Sequence, residues 1–404
     1  MFRAEEDDPP PAKPDVVSLI TPRLPYHVLV TLGAIIVMLV AGLWFARHVP
    51  PRPDISTTSG VKTEILEGRV ALVQPSSGPG QATRVFVDIT RGNQAEHRVE
   101  IQQSGDATGM VGNKPVRVGD EVFVMHISSG ALGEQFVIQD FVRLPALLLV
   151  LAAFAVATIV IGRWVGLRAL ISIGISVLAV FVFILPGIAA GKDPLLVCLL
   201  GSLLMMTASL YLTFGWNWKT HVSAFSMGLS LLAAALLSIV AARLSNLTGF
   251  STDESAMLVQ SAQIPIDMQG LFMGGVLVGA AGILGDAVVS QASAAFELKS
   301  ANHALDWRQL YRHTMAIGRD HIASMVNVLL LAYASASLPL LLLLGMQALS
   351  FTQTLNSELI AEEFVRTLIG SLGLILAVPI TSLVASLVAA RLATTDGVPV
   401  EAGA

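Results

Sequence analysis

The chain has 404 residues, 54% of them apolar and only 13% charged, with a mean hydropathy of +0.71 and a formal charge of −5 at pH 7. This balance lies far from the soluble average and reads as a polytopic membrane protein, with no basic footprint for nucleic acid. The single cysteine, Cys198, excludes an intramolecular disulfide.

An acidic, proline-rich stretch (1–26) opens the chain and is expected to be a disordered cytoplasmic tail. A first transmembrane helix is predicted over 27–46. Trp44 and Ala46 stand where a cleavage site would need small residues, so it reads as an uncleaved anchor. Residues 47–143 differ from everything else. The segments EGRVALV, TRVFVDI, HRVEIQ, DEVFVMHI and EQFVIQDFV show strand-like alternation or β-branched enrichment between glycine, proline and serine clusters. Five short strands predict a small β domain, with an OB-like barrel as the leading shape and an open meander as the other.

Residues 144–391 form a seven-helix membrane domain, with runs near the length needed to cross a bilayer at 145–163, 168–187, 194–214, 221–242, 270–291, 322–345 and 369–390. Residues 392–404 are read as a second cytoplasmic tail. The fold class is thus an α-helical bundle of about eight transmembrane helices with an inserted extracytoplasmic β domain. Charge placement orients it. Lys299, Arg308, Arg312 and Arg319 lie between the sixth and seventh runs, whereas 244–269 has no lysine or arginine and holds Asp253, Glu254 and Asp267. By the positive-inside rule the first region is cytoplasmic, which places both termini inside and the β domain outside. The segment 305–317 is expected as a short amphipathic helix on the inner interface. Pro339 and Pro379 are read as kinks in the last two helices.

The sixth run carries the most informative residue. Steps of three and four from Asp286 collect Gly275, Gly279, Gly282, Ser290, Ser293 and Glu297, a stripe of glycine, hydroxyl and carboxylate on one helix face. An aspartate at the bilayer midplane costs roughly 2.5–3.5 kcal/mol on insertion scales, so this stripe is expected to face a bundle interior or a water-filled path. The three glycines are assigned to close helix packing, and the GxxxG spacing of Gly270 with Gly274 and of Gly275 with Gly279 allows close helix approach inside one bundle or across a homo-oligomer. Asp320, Ser324 and Asn327 make a second polar stripe at the start of the seventh helix, which could line the same cavity. Its structural alternatives are a helix-terminal aspartate and an interhelical hydrogen bond from Asn327.

No P-loop, GxSxG, HExxH or dinucleotide fingerprint is present, and His303, His313 and His321 lack partners at metal-ligand spacing. Catalysis, a metal and a cofactor are therefore not expected.

Two long tracts, GVLVGAAGILGDAVVSQASAAFEL (275–298) and MAIGRDHIASMVNVLLLAYASASLPLLLLL (315–344), resemble the core signature of the YibE/F family of bacterial membrane proteins. GRWVGLRAL (162–170), Leu185-Pro186, Lys219-Thr220 and LTG (247–249) follow in the order that family shows. Gln291 and His321 depart from its pattern. The resemblance implies a multi-pass protein of the bacterial inner membrane and brings no established activity. Two functions stay open: a transporter or permease for a proton, ion or small solute along the Asp286 stripe, and a non-transporting module whose β domain binds an envelope partner.

Overall fold

The computed structural model describes 61–74, 83–92, 97–103, 110–111, 114–129, 133–261, 265–346 and 350–395, with single helical positions at 33, 36, 40, 43, 44 and 47. The tail predicted over 1–26, most of the first predicted helix and the last residues of the chain lie outside the described residues. The chain divides into two compact units, 51–163 and the remainder, with the boundary at Arg163.

All five strand-like segments of the first unit are strands. β1 (Val61–Gln74) is long enough to pair with two neighbours along different parts of its length. Its second half meets β2 (Thr83–Arg91) and its first half meets β6 (Glu121–Ser129). β3 (Arg98–Gln103) and β7 (Gly133–Phe141) complete an antiparallel sheet of order β3-β2-β1-β6-β7, while β4 (Met110–Val111) and β5 (Lys114–Pro115) form a separate two-stranded ladder. Register shifts between Glu67 and Gly68 and between Val70 and Leu72 bend β1, as bulges do, and the sheet curls into a half-barrel. Gly68 sits at the bend because a Cβ there would lie 2.5 Å from Val87 Cγ1. Alternate residues turn inward to make one core of Leu66, Val70, Val85, Val87, Ile101, Val122, Val124 and Ile138. Every one of these residues lies between 66 and 138, before the helix that starts at Leu144. A fragment from Gly60 to Val142 should be soluble, give a β-type circular dichroism spectrum and melt cooperatively; a disordered fragment would mean that the sheet depends on the membrane part to fold.

α1 (Leu144–Ala179) leaves helical geometry at Arg163 (φ 51°, ψ −130°), where the two units meet. It continues through a π-helical turn, Val180–Ile184, into α2 (Leu185–Ala189). The turn is closed by Leu185 N–H bonding Val180 O, immediately before Pro186, which has no N–H to offer. The second unit then runs through α3 (Pro194–Phe214), α4 (Trp218–Leu244), α5 (Asp253–Ser261), α6 (Met268–Ala301), α7 (Trp307–Ala336), α8 (Leu338–Met346), α9 (Phe351–Asn356) and α10 (Glu358–Thr395). Side chains fix the starts. Asp193 accepts from Leu196 N–H ahead of Pro194, Asn217 accepts from Thr220 N–H, and Asp306 with Gln309 forms a capping box.

Six helices among the described residues are long and apolar enough to cross a membrane: Leu144–Ala189, Pro194–Phe214, Trp218–Leu244, Met268–Ala301, Trp307–Ala336 and Glu358–Leu392. The stretch Leu144–Ala189 is two helices that meet at the non-helical Arg163, matching the separate runs 145–163 and 168–187, and the run 27–46 lies mostly outside the described residues, so the sequence count of eight is not contradicted. The expected amphipathic helix at 305–317 is not a separate element, because the capping box at Asp306 starts a single helix that continues to Ala336. The run 322–345 is instead divided at Ser337 between α7 and α8, two residues before Pro339. Pro379 lies within α10.

α6 is the hub, packed against α3, α4, α7 and α10. Leu277, Leu284, Ala287 and Val288 on it are fully buried, against Met227 and Leu231 of α4, Leu329 of α7 and Leu374 and Ala377 of α10.

Candidate functional site

Small residues let α6 approach its neighbours. A Cβ on Gly274 would lie 2.7 Å from Cys198 Sγ, and one on Gly285 would lie 3.4 Å from Met206 Sδ, so α3 covers this side. Ala287 and Ile283 face Leu329 and Tyr333 of α7. Between these two flanks runs the polar stripe. Gly275, Gly279, Gly282, Asp286 and Glu297 are exposed, and Ser290 and Ser293 are half-buried. A Cβ on Gly275 or Gly282 would meet nothing among the described residues, and one on Gly279 would meet only Tyr333 Oη, at 3.4 Å. The close packing expected of these three glycines falls instead to Gly270, Gly274 and Gly285. At the far end of the stripe, Glu297 accepts from Lys219 Nζ at 3.4 Å.

The second stripe lies elsewhere. Asp320, Ser324 and Asn327 are exposed, and on a helical period they stand nearly opposite Leu329, the residue by which α7 packs into the bundle. The two stripes therefore do not line one cavity within the described residues. Lys299, read from sequence as a cytoplasmic surface charge, is buried and donates to the carbonyls of His303 and Leu305, tying the turn between α6 and α7.

A third constellation gathers at the N-terminal end of α10. Glu358 accepts from the backbone N–H of Thr248, from Thr248 Oγ1 at 2.7 Å and from Gly249 N–H at 3.2 Å. Gly249 is held at φ +81°, with Met268 O so close that a Cβ would lie 2.3 Å from it, so no other residue fits this turn without strain. One turn along α10, Glu362 accepts from Ser251 Oγ at 2.6 Å, and Arg366 lies 3.8 Å from Glu363 and 5.7 Å over the Phe272 ring. Sequence reasoning passed over Glu358 and Glu362. The four-residue spacing of Glu358, Glu362 and Arg366 was the signal that could have found them.

Comparison with known families matches the YibE/F-like protein family over residues 150–391. The chain belongs to the YibE/F-like family. The comparisons with curated proteins and with solved structures each returned no match. The YibE/F-like region takes in all six membrane-length helices except the first few residues of α1, and it stops short of the β sheet. With its apolar helices it makes this a multi-pass membrane protein.

Within the YibE/F-like region the departure at Gln291 is structural. Gln291 is 2% exposed, accepts from Ser382 Oγ of α10 at 3.0 Å and lies against Gly318 of α7. It joins three helices through one amide. Buried hydroxyls of Ser226, Thr314, Thr381 and Ser386 occur on the same helices or on α4. Small hydroxyl residues of this kind allow close helix approach in a bilayer.

Proposed function

We propose that this protein is a proton- or ion-coupled transporter or permease of the bacterial inner membrane, with the α6 stripe around Asp286 as its path. The observation that carries this reading is the uncovered face of the hub helix. α6 is packed on its other sides, and the face left open carries its one mid-helix carboxylate. In a bilayer such a group is costly unless it meets water, a polar partner or a moving substrate, and intramembrane carboxylates commonly mark ion and proton paths. Gly275, Gly279 and Gly282, on the N-terminal side of it, leave room for a small solute or ion. The decisive experiment is substitution of Asp286 by asparagine, argued below.

A second reading is favoured by the β unit, which has a hydrophobic core of its own. In it the bundle anchors a non-transporting module whose β domain binds an envelope partner. No catalytic role belongs to either reading.

Both readings need the β domain outside and the termini in the cytoplasm, as the charge distribution predicts. In a Cys198→Ser background, single cysteines replacing Ser77 and Ser255 should react with a membrane-impermeant thiol reagent in intact cells, and one replacing Ser300 should react only after lysis. Cys198 is 3% exposed, so its replacement removes background without touching the surface. Labelling at position 300 in unlysed cells would invert the orientation.

A further inference from the structure

The cluster at the start of α10 contains two polar atoms, sealed from solvent, that no group among the described residues satisfies. Glu362 is 6% exposed; its Oε2 takes the Ser251 hydroxyl, and its Oε1 has no partner. Arg366 Nε, one turn on, is in the same state. The arginine does not serve as the partner of Glu362, since it leans toward Glu363 and Phe272. The other charged groups near Glu362 are Glu358 and Glu363 on its own helix. The turn before α5 brings only Ser251 to it, α4 and α6 bring apolar Ala242, Phe272 and Met273 to this level of the bundle, and α7 brings the phenol of Tyr333 to within electrostatic reach of Arg366 and Glu363. A buried carboxylate is retained in charged form only when it is paired and fully hydrogen-bonded. Glu362 has one hydroxyl and, among the described residues, no ion pair; Arg366 acts on it only across a distance.

We propose that Glu362 is a proton-binding carboxyl at this end of the membrane unit and that it loads the path through Asp286. A proton fits the vacancy better than a metal ion does. A metal needs several oxygen ligands, and among the described residues no three His, Cys, Asp or Glu side chains converge as a metal site, whereas a proton needs only the unpartnered Oε1. The step is uptake of H+ by the carboxylate to give the neutral acid, and its reverse. Tyr333 stands between the two sites: its hydroxyl lies against both Gly279 and Gly370, Glu362 is two turns before Gly370 on α10, and Asp286 is two turns beyond Gly279, about 10 Å along α6. The proposal rests on the path reading and specifies its ion.

The test uses the full chain in lipid nanodiscs and infrared difference spectra recorded as the pH is stepped, reading the carbonyl stretch of protonated carboxyl groups. Glu362→Gln should remove one component, while Glu363→Gln should keep it. An unchanged spectrum in Glu362→Gln overturns the proposal. If that variant does not accumulate, Ser251→Ala decides, because it keeps the carboxyl and should move both the frequency and the midpoint of the same component; a component that does not move overturns the proposal equally. The two readings separate cleanly. A component lost in Glu362→Gln alongside full activity of Asp286→Asn leaves the proton site standing and removes the path, and the converse pattern keeps the path without this site.

Discussion

Replacing Gly318 by leucine should detach α7 from the bundle and lower the melting temperature of the purified chain. α7 is the least buried of the helices in the second unit that are long enough to span a membrane, and its fully covered positions are few: Leu310, Thr314, Gly318 and Leu329. At Gly318 a Cβ would already sit 2.4 Å from Val378 Cγ1 and 3.1 Å from both polar atoms of the Gln291 amide. Val378 is fully buried and cannot swing clear, and the amide is held by Ser382. Overpacking of this kind costs about 1–3 kcal/mol, and displacing a buried amide from its partner adds about 1–3 kcal/mol more. Gly318→Ala should show the same sign with a smaller effect. Pairing it with Val378→Ala should recover most of the loss, because the two side chains compete for one space. Melting of Gly318→Leu at the wild-type temperature would mean that this seam does not hold α7.

What the sequence made legible follows from which signals are local. Each of the five segments from EGRVALV to EQFVIQDFV alternates clearly enough to be a strand, because one face of each packs on a single core. That β1 serves two partners along its length depends on its bulges, which alternation does not reveal. Hydropathy found the membrane-length runs but misplaced the start of α7. The charges at Arg308, Arg312 and Arg319 interrupt the apolar signal, while the helix is set by the capping pair Asp306 and Gln309, which the sequence does display.

At the candidate site the period of 3.6 collected the stripe around Asp286 as one face of α6, but that face is exposed or half-buried and not turned into the bundle interior. The period could not say which faces the neighbours cover: of the two GxxxG pairs, Gly274 of the first packs on Cys198 while Gly275 of the second meets nothing, as does Gly282, and Gly285, outside both pairs, packs as well. In the α10 cluster the spacing of Glu358, Glu362 and Arg366 marks one helix face, but the partners of that face were out of reach for another reason. Its hydrogen bonds join Thr248 to Glu358 and Ser251 to Glu362 across separations of 110 and 111 residues, and no local pattern carries such a pairing.

Asp286→Asn should leave the protein inserted and abundant yet without function. Asparagine keeps the size of the side chain and can still accept and donate hydrogen bonds, but it has no titratable charge. If the uncovered face of α6 carries a proton or cation, removal of that charge stops coupling without disturbing the packed faces, since Asp286 makes no hydrogen bond or ion pair among the described residues and sits where the helix is open. Asp286→Leu then becomes informative in the opposite way to a soluble protein. A face that no described neighbour covers should accept leucine without a clash, and leucine removes the cost of an aspartate at membrane depth, up to roughly 2.5–3.5 kcal/mol at the bilayer centre. The expected result is therefore a pair: Asp286→Leu at wild-type abundance or above, and both variants unable to rescue the phenotype of deleting the gene at matched membrane levels. If the residue served only to pack against another helix or a second copy, asparagine would preserve that contact and rescue in full. Full rescue by Asp286→Asn would remove the ion path and leave the β unit, with its independent core, as the part of the molecule that carries the function.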